Sequence, residues 1–153
     1  MNILTKARVW LARFRNKKQY TFNHTAHKEL WDWLANNPGQ PKSAWPGWSY
    51  YPDIKEEYNE CFACEYVIRY MKAPLYFVPC ADHCPLVWPN PGTCFDPHRE
   101  GLYARWHKRT VMAQCLRAEP GGCPETIAAF YSTVSDLARQ IRDLPVKEGV
   151  TCC

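Results

Sequence analysis

Four cysteines stand in two close pairs, Cys61-Phe-Ala-Cys64 and Cys80-Ala-Asp-His-Cys84, with fifteen residues between the pairs. Thiolate sulfur is a preferred donor to zinc, and a tight Cys-x2-Cys turn delivers two sulfurs to one tetrahedral ion. The separation falls within the range of Cys-x2-Cys…Cys-x2-Cys zinc modules. The second pair is one residue longer, a spacing that zinc sites tolerate. Cys61, Cys64, Cys80 and Cys84 are therefore the expected ligands of one structural Zn2+. Cys94, in the stretch NPGTC, is a fifth donor that could substitute for Cys80.

Two other chemistries compete for these residues. Nine cysteines in 153 residues is an odd number and a lower density than disulfide scaffolds carry. A thioredoxin-like Cys-x-x-Cys belongs beside a βαβ pattern that is not present. Zinc is the reading kept. His83 is expected as an exposed loop residue, and Cys115, inside a helical pattern, as a small buried apolar residue. Cys123 is given no chemistry.

Four thiolates fill a zinc shell, whereas catalytic zinc keeps one position open for water. Glu60 and Glu65 flank the first pair and are carboxylates that could serve a hydrolytic zinc, the least favoured alternative. The deaminase and His-Glu-x-x-His arrangements are absent, as are the phosphate-binding and nucleophile-elbow motifs. His24 and His27 have a spacing that one metal could use, but they read as the start of a helix. The expectation is a protein that is not an enzyme.

The elements that must position the cysteines are mostly helical. The stretch HKELWDWLANNPG gathers Leu30, Trp31 and Leu34 on one side, and Asn37-Pro38-Gly39 stops it. Leu102, Trp106, Thr110 (or Arg109), Ala113 and Leu116 recur at steps of three and four. Ile127, Phe130, Val134, Leu137, Ile141 and Leu144 form a clearer stripe, opened by Pro124 and closed by Pro145. Trp45 and Trp48 punctuate a Pro-rich loop and are expected to pin it to the body. Between the cysteine pairs, EYVIRY and LYFVP could be two strands of a hairpin. Tyr58, Phe62, Tyr66 and Tyr70 recur every four residues, so a helix through Cys61 and Cys64 is the equal alternative. The fold class expected is α-rich, with α+β as its variant: three to four helices, a Cys-rich knuckle and long aromatic loops.

Charge divides the chain. The first 28 residues hold seven basic side chains and no acid, whereas the whole chain has 19 basic and 15 acidic residues. The segment 1–22 is predicted to be a basic amphipathic arm, followed by a zinc-binding domain over 23–150 and a frayed tail over 151–153. The arm's charges interrupt any apolar run, so it is not read as an export signal. Arg8, Arg13, Arg15, Lys17 and Lys18 could neutralise phosphates, which makes DNA or RNA the alternative partner, with Arg105, Lys108 and Arg109 extending the patch. No run of residues is long and apolar enough to span a bilayer. The oligomeric state is not encoded in any pattern found.

The stretches HKELWDWLANNPGQPKSAWPGW, CFACEY, CPLVWP, GTC, GLYARW and LARQIRDLPVKEGV occur in this order. Together, over Ala26 to Val150, they resemble a group of small, Cys-rich proteins encoded by bacteriophages and prophages. The resemblance implies a zinc site, a phage context and no established activity. The family's second pair is Cys-x2-Cys ahead of Pro-Leu, so Cys80 stands one residue out of place. A phage accessory protein would meet a host macromolecule, such as a defence or transcription component, in the cytoplasm of an infected or lysogenic bacterium.

Overall fold

The computed structural model describes residues 21–52, 54, 61–71, 83–89, 94, 101–119, 121 and 123–153. Among these residues the chain is α-rich, with four α-helices: α1 (His24–Asn36), α2 (Phe62–Met71), α3 (Leu102–Ala118) and α4 (Pro124–Arg142). Two short 3-10 turns, Lys42–Ala44 and Pro46–Tyr50, connect α1 towards α2. Residues 1–20 of the expected arm, with Arg8, Arg13, Arg15, Lys17 and Lys18, lie outside the described residues, as do Cys80, Glu60 and the stretch LYFVP.

Helix α1 begins three residues before the predicted stretch. The Asn23 side chain accepts the Ala26 N–H at 2.9 Å and caps the helix start. Its inward face carries Ala26, His27, Leu30, Trp31, Leu34 and Ala35. Gly39, at φ +85°, turns the chain out of the helix, a conformation that costs glycine little.

Helix α4 is the central element and packs along both α1 and α3. Val134, Leu137, Ala138, Ile141 and Leu144 are buried, while Ile127 and Phe130 at the head of the stripe are half-buried. Trp31 of α1 meets Trp106 of α3 edge-on, with centroids 4.9 Å apart. Truncating such a buried ring to alanine typically costs about 3–5 kcal/mol. Arg142 ties α4 to α1 through Asp32 at 2.6 Å.

Helix α2 settles the alternative left open by the sequence: EYVIRY is helical and not a strand. Its buried face is Phe62, Ala63, Cys64 and Val67. Phe62 lies within 5.1–5.8 Å of the rings of Tyr51, Trp48 and Trp45, so the Pro-rich loop is pinned as expected.

Three expectations change. Cys115 is exposed, because α3 buries Trp106, Thr110 and Ala113 and so turns Cys115 to the far side. Phe22, assigned to the arm, is fully buried and belongs to the body. The last residues do not fray: Phe22 pairs with Cys152 in a parallel bridge, with Phe22 N–H donating to the Thr151 carbonyl at 2.8 Å.

Candidate metal centre

Cys61 immediately precedes α2, and Cys64 lies in its first turn. Residues three apart on a helix share a face, so both sulfurs point the same way. They are 3.6 Å apart. A disulfide needs about 2.05 Å, whereas two sulfurs on one tetrahedral zinc stand about 3.8 Å apart, given a Zn–S distance of about 2.3 Å. The separation therefore fits a shared ion. None of the eight described cysteines is in a disulfide.

The backbone N–H groups of Ala63 and Cys64 act on the Cys61 thiol, and that of Leu86 on Cys84, each lowering the pKa of its thiol. Such donors stabilise thiolate and orient it. Trp88 adds a further donor, its indole N–H reaching the Cys84 sulfur at 3.2 Å. The segment is held in register by the stretch after α4. Leu86 and Val146 form an antiparallel bridge, with Val87 N–H donating to Pro145 and Lys147 N–H to Pro85, both at 2.8 Å.

Cys61, Cys64 and Cys84 are among the buried residues of the main hydrophobic core, and half-buried Cys94 packs against that core. Cys64 is hydrogen-bonded to Cys61, and Cys94 acts on it as well. The electrostatics follow from this crowding. Cys61 is pushed down, chiefly by its hydrogen bond with the Cys64 thiol, with the Lys42 ammonium adding to the effect. Cys64 is pushed well up by the same bond and by Cys94. Burial pushes Cys84 up to about 12, against the Trp88 donor. Three buried thiols beside a fourth cannot all ionise without a cation among them. Among the described residues no group of three or more His, Cys, Asp or Glu side chains is already disposed around a common ion position. What is in place is one pair at ligand spacing with two further thiols acting on it. The donor set, soft and thiol-rich with backbone N–H support, fits zinc.

Of the predicted ligands, Cys61 and Cys64 stand at ligand spacing, while Cys84 and the substitute donor Cys94 share the same core without forming a group of three around one point among the described residues. Cys80 lies outside the described residues. Glu65 pairs with Arg69 one turn along α2. His83 is half-buried near the Tyr70 ring. His24 and His27 do form the first turn of α1, and the His27 Nε2–H donates to the Ile141 carbonyl at 3.3 Å. Trp88 and Lys42 were not found from the sequence. Trp88 sits four residues past Cys84, and that proximity was the only local signal.

No family model matches the chain, and neither the curated proteins nor the solved structures yield a match.

Proposed function

We propose that this chain is a non-enzymatic binding protein closed by one structural zinc ion, with Cys61, Cys64, Cys84 and Cys94 as ligands. The observation that carries the reading is the Cys61–Cys64 pair with its sulfurs 3.6 Å apart, on which Cys94 and Cys84 act electrostatically. A bound zinc supplies cross-linking free energy, about 10 kcal/mol or more in small modules. Cys61 and Cys64 tie down the start of α2, and Cys84 ties down the segment paired with Val146. Lys42 and the N–H donors offset the charge of about −2 that four thiolates and one divalent ion carry together.

A filled thiolate shell leaves no position for an attacking water. The Glu65 carboxylate pairs with Arg69, which supports the same reading. Binding is therefore the role assigned, and the resemblance to phage proteins points to a host macromolecule, such as a defence or transcription component, in the bacterial cytoplasm.

Native mass spectrometry of the full chain should show one zinc, released by mild acid together with loss of helicity. A pull-down from host lysate should give a stoichiometric partner that the zinc-loaded chain retains and the Cys64→Ser chain loses. A folded chain without zinc, or equal capture by both chains, overturns the reading.

A further inference from the structure

We propose that Cys61 and Cys64 are a site of reversible oxidation by peroxide, closing to a disulfide that no longer holds the zinc ion. The inference rests on the preceding reading for the metal, and on the geometry of the pair alone for the oxidation.

Position is the first observation. The Cys61 carbonyl accepts the Glu65 N–H at 3.1 Å, so Cys61 is the residue that caps α2. Its sulfur stands at the positive end of a ten-residue helix, and the backbone N–H groups of Ala63 and Cys64 act on it. Thiolate is the nucleophilic form of cysteine, and a helix start is where that form is favoured. The roles divide accordingly: Cys61, ahead of the helix, attacks, and Cys64, inside its first turn, resolves.

Contact is the second. The two sulfurs are 3.6 Å apart and hydrogen-bonded. A disulfide at about 2.05 Å requires an approach of about 1.5 Å. Cys61 lies outside the helix proper, so no preceding turn confines its side chain during that swing. Dithiol chemistry asks for this arrangement of two sulfurs and not for a particular fold.

Burial is the third, and it selects the oxidant. Cys61 and Cys64 are 7% and 6% accessible. A peroxide of two oxygens can meet a sulfur that shows so little surface. A peptide disulfide must bring its S–S bond into line with the attacking sulfur and is shut out.

The Cys61 thiolate attacks one peroxide oxygen and the O–O bond breaks. Hydroxide leaves, is protonated to water, and Cys61 is left as a sulfenic acid. The Cys64 sulfur then attacks the Cys61 sulfur. The S–O bond breaks, and the departing hydroxide takes the Cys64 proton as a second water. Two electrons pass from the pair of sulfurs to one peroxide. When the pair starts as bound thiolates, both protons come from solvent. The disulfide offers no thiolate, so Cys84 and Cys94 remain as two ligands where a structural zinc site needs four.

The test uses the full zinc-loaded chain. The tryptic peptide from Glu56 to Arg69 holds Cys61 and Cys64 and no other cysteine, so its loss of two hydrogens reports closure of the pair. Hydrogen peroxide should produce that loss with one zinc released to a chromogenic chelator per disulfide. Dithiothreitol should reverse the closure. Oxidised glutathione at the same concentration should act at least about tenfold more slowly. In the Cys64→Ser chain, dimedone should trap a sulfenic acid on Cys61. A pair that stays reduced while the exposed Cys115 and Cys123 oxidise overturns the proposal, as does an equal rate with glutathione. A zinc-loaded chain whose pair resists peroxide sinks this inference and leaves the preceding reading standing. A chain that holds no zinc, yet closes the pair, sinks the preceding reading and leaves the oxidation site standing.

Discussion

The Trp88 indole donates its N–H to the Cys84 sulfur across 3.2 Å, joining two side chains four residues apart on the segment that pairs with Val146. Hydrogen bonds to a ligating sulfur draw off negative charge and fix its direction, and losing one typically costs 10–100-fold in metal affinity. Trp88→Phe keeps a ring and removes the donor. Zinc competition titration should show affinity falling about tenfold, and the sulfur-to-cobalt charge-transfer band of a cobalt-loaded sample should shift. An unchanged band and affinity would mean that Trp88 only fills space.

Gly47 lies under the ring of Trp45. A Cβ built there would stand 2.2 Å from the indole carbons, so alanine must displace a side chain that is buried against Phe62. Overpacking of this kind costs about 1–3 kcal/mol. Urea denaturation of Gly47→Ala should show that loss. Zinc should also dissociate faster, because Phe62 adjoins Cys61. Full stability would contradict the packing of this loop.

His27 is fully buried between the rings of Phe22 and Trp31. Burial pushes its pKa down to about 4, opposed by the bond to the Ile141 carbonyl and reinforced by His24 and Lys28. The unfolded chain takes up its proton near the ordinary value of about 6.5, well before the folded one. The folded pKa is the lower, so its stability contribution is complete above about pH 6.5 and is lost as pH falls towards 4, by up to roughly 3 kcal/mol. Urea melts across this window should show the decline. His27→Gln, which can still donate to Ile141 but cannot titrate, should flatten it. An equal slope in the variant would assign the pH dependence elsewhere.

Much of the helical frame was legible because local pattern and burial agree. The α4 stripe through Val134, Leu137, Ile141 and Leu144 needed only the helical period, and α1 only its Leu30–Trp31–Leu34 face and its Asn-Pro-Gly stop. Helix α2 was ambiguous because β-branched and aromatic residues serve either state. Long-range contacts of Phe62 with Trp45, Trp48 and Tyr51 accompany the helix, and no local window contains them. Cys115 was misassigned by chemical type, whereas its place on α3 decides its exposure. The Phe22–Cys152 pairing and the Lys42 charge near Cys61 join residues far apart in the chain, so neither leaves a periodic trace. Spacing singled out the Cys61–Cys64 pair, whose sulfurs the helix start brings to 3.6 Å. Cys84 and Cys94 reach the same core from distant segments, which no local pattern encodes.

The most direct test of the central claim is zinc-edge X-ray absorption on the full-length Cys80→Ser chain. The expected result is one zinc surrounded by four sulfurs at about 2.3 Å, unchanged from the parent. A shell with oxygen or nitrogen in place of a sulfur, or a folded chain that holds no zinc, would contradict the joining of Cys61, Cys64, Cys84 and Cys94 around a single ion.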